Sequence, residues 1–280
     1  MGRSADVRAP VSDLLRLPDG AVATQVDPRG TPGAEDRATA EAQLAEVAGR
    51  LEDLQQRLRA EGTRSLLLVL QGMDTSGKGG TVRHVMSAMN PAWVDVTAFG
   101  PPTEEELAHH FLWRIGRRLP GPGHIGVFDR SHYEDVLIVR VRELVPEHVW
   151  RPRYDEIAAW EGGLVTTGTT IVKCLLHISP GEQRARLLAR LDDPTKHWKF
   201  DEADIEERAR WADYMAAYDE AIARTSTEDA PWYVVPADRK WHRNWAIAHI
   251  LAETLEAMDP RYPPSDLDVP ALRARLGPPN

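Results

Sequence analysis

The chain has 280 residues, 42% of them hydrophobic, with a formal net charge of −9 and one cysteine. That length and apolar content suffice for a full α/β core, and no run approaches the ~18 to 20 apolar residues of a membrane span. The acidic balance argues against general nucleic-acid binding, so any polyanion must be met by a local basic site.

No charged-then-apolar leader with a cleavage site opens the chain. The lone Cys174 lies in an apolar run that reads as a buried strand, which implies a reducing cytoplasm and no disulfide. Residues 1–34 are rich in Pro, Gly and charge without a periodic pattern, and are expected to form an extended or mobile arm. Over residues 35–60, Leu44, Val47, Leu51, Leu54 and Leu58 recur at helical spacing, predicting a long amphipathic helix whose role is packing.

An apolar strand follows at residues 65–70, then Gly72-Met73-Asp74-Thr75-Ser76-Gly77-Lys78-Gly79-Gly80, then a helix over about 81–89. Strand, glycine loop and helix in this register form a phosphate-binding loop. The glycines let successive backbone N–H groups converge on phosphate oxygens, Lys78 adds a mobile charge, and the helix aims its N-terminus at the anion. The pattern G-x-x-x-x-G-K is met by Gly72, Gly77 and Lys78, while Gly79 stands where a metal-binding Ser or Thr belongs and Gly80 extends the loop. Asp74 is the substitute ligand, since a hard cation wants oxygen donors. The alternative, in which Asp74 only caps the loop through its own backbone, stays open.

The next strand spans residues 93–99, and Thr103 with Glu106 forms a capping box that fixes a helix from residue 104. A third strand at 124–128 runs into Asp129-Arg130-Ser131-His132-Tyr133-Glu134-Asp135. An acidic residue at the carboxyl end of a parallel strand opens onto the ligand crevice, so Asp129 faces the same metal as Asp74. The competing reading makes Asp129 the N-cap of the stretch from Ser131. Arg130 is placed to clamp a transferring phosphoryl group. For Glu134 and Asp135, a functional role and a helix-dipole role weigh equally.

A fourth strand covers 170–177. Beyond it lies a basic segment with Arg184, Arg186, Arg190, Lys196 and Lys199, opposed only by Asp192 and Asp193, with His197 and Trp198 interleaved. Pro194 ends the preceding helix, so residues 192–200 form a loop between helices, within a lid of about 184–204. Phosphoryl transfer depends on positioning and neutralising phosphate oxygens, which suits a charged lid. Arg190, Lys196 and Lys199 bracket the break and are the candidates; Arg186 reads as solvated, and Arg184 is open. A strand at 232–235 and a helix over 238–258 complete a unit of residues 35–259. Pro260 to Pro264 then begin a C-terminal tail of residues 260–280. Alternating strands and helices predict a parallel sheet in a three-layer α/β/α arrangement.

The loop, the Phe128 to Asp135 segment, and His177-Ile178-Ser179 followed by Arg190, Asp193-Pro194 and Lys196-His197-Trp198-Lys199 resemble, in that order, polyphosphate kinase family 2. The resemblance covers about residues 35–258. It implies a P-loop kinase-like, thymidylate-kinase-like α/β fold with a helical lid, and reversible magnesium-dependent (Mg2+) phosphoryl transfer between inorganic polyphosphate and nucleotides, AMP to ADP and ADP to ATP. It also implies a homo-oligomer, dimer or tetramer. By motif match, Asp74 and Asp129 are the metal-binding and catalytic carboxylates, Lys78 and Arg130 the phosphate clamps, and Arg190 the lid arginine. Gly72, Gly77, Gly79, Gly80, Lys196 and Lys199 serve phosphate binding. Tyr133-Glu134-Asp135 is similar to the group accepting both AMP and ADP, which places Glu134 at the nucleotide. The rival readings are an ATP-dependent nucleoside or nucleotide kinase of the same fold, opposed by Gly79 and Asp74, and a non-catalytic phosphate-binding module, opposed by the two aspartates.

Overall fold

The computed structural model describes residues 9–18 and 20–277. The apolar runs become five parallel strands: β1 Ser65–Gln71, β2 Val94–Ala98, β3 Ile125–Asp129, β4 Thr169–His177 and β5 Trp232–Pro236. Their order in the sheet is β2-β3-β1-β4-β5, so β1 is central. Every residue of β1 is buried, as expected for a strand covered on both faces.

Alternation along β1 divides the core in two. Leu66, Leu68 and Leu70 pack with Leu51, Leu58, Ile247 and Leu251, whereas Leu67 and Val69 pack with Phe128, Tyr154, Ile157, Tyr218 and Trp232. Side chains two apart share a sheet face, so one leucine-rich strand serves both helical layers. The outcome is the three-layer α/β/α fold expected.

The first layer contains the helix Arg37–Glu61, which buries Ala40, Val47, Leu51, Leu54 and Leu58. Asp36 caps it by accepting from the Thr39 N–H at 2.9 Å, and Gly62 ends it at φ 65°. It packs on the long helix Lys240–Met258, where Trp245 Nε1 donates to Gln43 Oε1 at 2.8 Å. Thr103 and Glu106 form both halves of the expected capping box, but the helix they start is one turn, Glu104–Leu107.

The N-terminal stretch departs from the expected arm. Its first eight residues and residue 19 lie outside the described residues; the rest lies against the fold. A short helix Val11–Leu15 buries Val11 and Leu15, and its Val11 and Ser12 N–H groups donate to Glu253 at 2.9 Å. Arg16 bridges antiparallel to Tyr233 of β5, and the Asp238 N–H donates to Pro28 O at 3.1 Å. A few apolar residues among prolines and glycines suffice because their partners are already built. The C-terminal tail likewise holds an exposed helix, Val269–Leu276; residues 278–280 lie outside the described residues.

Leu15 is 3% exposed. Leu15→Ala should therefore lower the unfolding free energy by about 2 to 5 kcal/mol in urea denaturation. An arm free of the core would leave the midpoint where it is.

Candidate active site

β1 and β3 lie side by side with Leu70 opposite Asp129, and the Arg130 N–H donates to Leu70 O at 3.0 Å. The loop after β1 and the turn after β3 therefore leave the sheet together, at its carboxyl edge. The loop is compact. At Gly72, φ 147°, a Cβ would lie 2.8 Å from both Leu176 O and Ser76 Oγ. The helix Lys78–Met86 opens behind Gly77, and its first intrahelical bond runs from the Thr81 N–H to Gly77 O at 2.9 Å. The N–H groups of Lys78, Gly79 and Gly80 precede that bond and face outward as donors for an anion. Thr75 and Arg130 both adopt φ 64°, strained for residues with side chains, one in each of the two turns.

Five charged groups meet here. Arg130 Nη2 donates to Asp74 Oδ1 at 2.6 Å, so the loop and the β3 turn are tied by an ion pair. Burial works against the Arg130 charge, but Asp74, Glu134 and Asp129 outweigh it and raise its pKa. Lys78 is 7% exposed, with Nζ on Gly72 O at 2.7 Å. Its pKa is lowered, by burial first and then by Arg130, against the pull of Asp74, Asp129 and Glu134. The half-buried Glu134 is raised by burial, against Arg130 and Lys78. The Asp129 carboxylate makes no hydrogen bond or ion pair among the described residues, and a Cβ on Gly79 would lie 3.9 Å from its Oδ2.

The structure separates the alternatives left by the sequence. Asp129 is not an N-cap: Ser131 caps the next turn, accepting from the Tyr133 N–H at 3.2 Å. Asp135 turns away from the loop to pair with Arg153 at 2.9 Å, while Glu134 faces Lys78 and Arg130. Asp74 gives its carboxylate to Arg130, and its backbone O accepts from Gln183 Nε2 at 3.2 Å. Gln71, at the end of β1, is fully buried; with its amide turned to satisfy both ends, it donates to Glu134 Oε1 at 3.0 Å and accepts from the Ser131 N–H at 3.2 Å.

Arg186 was expected on a solvated face and is instead 9% exposed. Its Nη1 donates to Thr75 O at 2.9 Å and Ser76 O at 3.0 Å, and its Nη2 to Ala237 O at 2.7 Å and Asp238 O at 2.9 Å. The correction has a physical reason: the helix Pro180–Leu191 lies beside the loop, and a guanidinium can satisfy several buried carbonyls at once. Arg243, from the long helix, approaches the same loop from within, with Nη1 on Ser76 O at 3.2 Å. Burial and then Arg186 lower its pKa to about 10. Sequence reasoning missed Gln71, Gln183 and Arg243, whose contacts with the site are to backbone carbonyls or to side chains remote in the chain. The hydroxyls of Thr75, Ser76 and Thr81 are buried around the loop without a hydrogen-bond partner, a polar lining that a ligand would satisfy.

In the lid, residues 192–200 contain the 3-10 turn Pro194–Lys199 between the helices Pro180–Leu191 and Ala203–Ala209. Arg190 Nη1 donates to Lys199 O at 2.8 Å and pairs with Asp204 at 3.2 Å, so it is held within the lid. Asp204 is pushed up to about 6, by burial first and then by Asp74, against Arg190. Lys196 is exposed and pairs with Asp193 at 2.7 Å; Lys199 Nζ sits over the exposed Trp198 ring at 4.8 Å from its centroid. Lys78, Arg130, Asp74, Asp129 and Glu134 are thus brought together, while Arg190, Lys196 and Lys199 stand apart from them.

Most of the chain is similar to known proteins. The family model described as Polyphosphate kinase 2 matches residues 34–263. The AMP/ADP-polyphosphate phosphotransferase of Meiothermus ruber is 53% identical over 220 residues, covering 79% of this chain and 82% of that protein. The ADP-polyphosphate phosphotransferase of Rhodopseudomonas palustris is 47% identical over 239 residues, covering 81% and 82%. The crystal structure of Polyphosphate Kinase 2 from Arthrobacter aurescens superposes with a TM-score of 0.93 at 48% identity, covering 96% of each chain.

Gly77 has φ 108°, and a Cβ there would lie 1.7 Å from Arg243 Nη1. Gly77→Ala should lower stability by about 1 to 3 kcal/mol from the backbone alone, and should remove any rise in Tm that tripolyphosphate with magnesium gives the wild type. Gly49→Ala, at an exposed position in the helix Arg37–Glu61 with open space around it, should instead stabilise by about 0.5 to 1 kcal/mol and keep the ligand-induced rise.

Proposed function

This chain belongs to the polyphosphate kinase 2 family, and we propose that the crevice between the β1 loop and the β3 turn transfers phosphoryl groups between inorganic polyphosphate and both AMP and ADP. The observation that carries this reading is the meeting of Lys78 and Arg130 with Asp74, Asp129 and Glu134 at the mouth of the loop. Acceptance of both nucleotides is supported by Glu134 within that cluster and by the activity for which the Meiothermus relative is named.

Polyphosphate lies along the loop and lid, its terminal phosphoryl group held by the loop N–H groups, Lys78 and Arg130. A terminal phosphate oxygen of the acceptor attacks that phosphorus in line; the new P–O bond forms as the bond to the chain breaks, and the shortened chain leaves with the bonding pair. An acceptor monoester is largely ionised at neutral pH, so no strong general base is required. Lys78 and Arg130 neutralise the charge that spreads over the phosphoryl oxygens. One phosphoanhydride is exchanged for another of similar energy, and the reaction runs both ways with substrate ratios.

The donor set fits magnesium. That ion needs one or two carboxylates, with waters and substrate phosphate oxygens completing its shell; Asp74 and Asp129 supply two, Asp129 without a competing partner among the described residues. When bound there, magnesium would supply Lewis-acid neutralisation of phosphate oxygens. A homo-oligomer, dimer or tetramer, working in the cytoplasm belongs to the same proposal. The buried free thiol of Cys174, its pKa raised by burial, suits a reducing compartment, and exposed Val96 on the edge strand β2 is apolar surface that assembly would cover. Among the described residues, no helix is long and apolar enough to cross a membrane.

In a luciferase assay, the protein with magnesium should make ATP from ADP and long-chain polyphosphate, and a coupled assay should detect ADP formed from AMP. Asp74→Asn should lower turnover on the order of 100-fold. Absence of both products at every chain length and pH tried would end the proposal. Use of ADP alone would remove only the role given to Glu134.

The lid makes a second test. Its exposed lysines can meet phosphates far from the reacting one, and each such contact is screened by salt. Lys196→Ala with Lys199→Ala should raise KM for long polyphosphate much more than KM for ADP, with a weaker salt dependence than wild type. Arg190→Ala should lower kcat itself, which requires Arg190 to leave Asp204 for the transferring group. Equal effects of the lysine pair on both substrates would place the chain elsewhere.

A further inference from the structure

Arg243 is 2% exposed, on the first turn of the helix Lys240–Met258. Its guanidinium lies against the inner side of the phosphate loop. Nη1 reaches Ser76 O at 3.2 Å, and Nη2 and Nε reach Asn244 Oδ1 at 2.8 and 3.2 Å. Two loop glycines make room for it: a Cβ would lie 1.7 Å from Nη1 at Gly77 and 3.1 Å from Nη2 at Gly80. The loop's glycines thus have a second duty beside their backbone angles.

No carboxylate among the described residues pairs with Arg243. The charged groups that act on it, Arg186 and Lys240, are of the same sign. A buried cation without an anion is expensive, and proteins keep such charges paired. Nor is the guanidinium needed to satisfy the loop, because Ser76 O also accepts from Arg186 Nη1 at 3.0 Å. The loop it lies against runs into the helix Lys78–Met86, whose first N–H groups precede the first intrahelical bond and have no partner within the helix.

We propose that Arg243 is a fixed positive charge whose counter-ion is the bound polyphosphate on the other side of the loop, and that it acts as a positioning residue for phosphoryl transfer. This rests on the reading that the loop holds polyphosphate. The charge reaches the substrate through one thickness of backbone, in a setting with little water to screen it. It also settles the energetics of the free protein: the cost of the unpaired guanidinium is carried when the loop is empty and relieved when the anion binds, so binding and stability are linked.

The test compares Arg243→Met, which keeps the stem and removes the charge, with Arg243→Lys, which keeps the charge and gives up most donors. Thermal unfolding is measured with and without long-chain polyphosphate and magnesium, and Kd by calorimetry at low and high salt. For Arg243→Met, Tm of the free protein should be unchanged or higher, while Kd for polyphosphate rises about 10-fold or more and the ligand-induced rise in Tm shrinks. The loss should persist at high salt, unlike that of Lys196→Ala with Lys199→Ala. Arg243→Lys should bind within about threefold of wild type. Unaltered binding by Arg243→Met, a loss matched by a fall in the free protein's Tm, or equal losses in both variants would each overturn the assignment, the last two by reducing Arg243 to a brace. Should Arg243→Met fail to fold, Arg243→Lys decides: retained affinity supports the proposal and a 10-fold loss ends it. If wild-type protein itself shows no polyphosphate binding, the reading of the loop fails; if only the variants behave as wild type, this inference fails alone.

Discussion

The ion pair between Asp74 and Arg130 ties together the two chain reversals from which the site is made. Asp74 belongs to the loop after β1 and Arg130 to the turn after β3. Both reversals hold a strained residue: Arg130 has a positive φ, and so does Thr75 next to Asp74. Strain of this kind persists where surrounding contacts over-determine the backbone. Here the contacts are specific, with the Arg130 N–H on Leu70 O and Arg186 holding the Thr75 carbonyl. The pair also prepares the chemistry, since it keeps a cation and a carboxylate at the mouth of one crevice before any phosphate arrives.

Behind the β3 turn lies a buried polar cluster. Lys173 Nζ, in the middle of β4, donates to Glu161 Oε2 at 2.5 Å and to Thr225 O at 2.7 Å, while the Tyr133 hydroxyl is 2.9 Å from Glu161 Oε1. Burial opposes the Glu161 charge, and Lys173 with His132 outweighs it, holding the carboxyl below its ordinary range. Buried pairs contribute little net stability, because desolvation offsets their attraction. They are demanding about geometry, however. His132 and Tyr133 lie two and three residues beyond Arg130, and their fixed partners anchor the segment that carries Arg130 and Glu134.

Charge is distributed so that a protein of net −9 offers a polyanion a positive place. Lys78, Arg130, Arg186 and Arg243 surround one loop, and two of these four have carboxylate partners within ion-pair distance: Arg130 with Asp74 and Arg186 with Glu182. The lid cations keep their partners within the lid itself, Arg190 with Asp204, Lys196 with Asp193 and Lys199 over the Trp198 ring. Lys78, Arg186 and Arg243 are buried and act at short range in a poorly screened medium, whereas Lys196 and Lys199 are exposed and act along the chain in water.

The central strand, the glycine loop, the acid at the end of β3 and the alternation of strands and helices were legible in the sequence, because each is a local pattern. An apolar run bounded by glycines has few ways to fold, and a G-x-x-x-x-G-K spacing fixes where its lysine must point. Asp74, Lys78, Asp129 and Arg130 could be singled out on that basis alone. Arg186 could not be placed, since it sits among Arg184, Arg190 and Lys196 in a segment that reads as a solvated face. What buries it are the carbonyls of Thr75, Ser76, Ala237 and Asp238, and a backbone carbonyl leaves no mark in a sequence because every residue has one. Arg243 was hidden by distance, reaching Ser76 across 167 positions of chain. The N-terminal stretch was misread because Val11 and Leu15 are too few to form a period, yet the surface they cover was already made by the helix Lys240–Met258 and β5. Local spacing determined which residues could bind phosphate; only tertiary packing decided which charges lie behind them, because burial depends on partners that are near in space and remote in the chain.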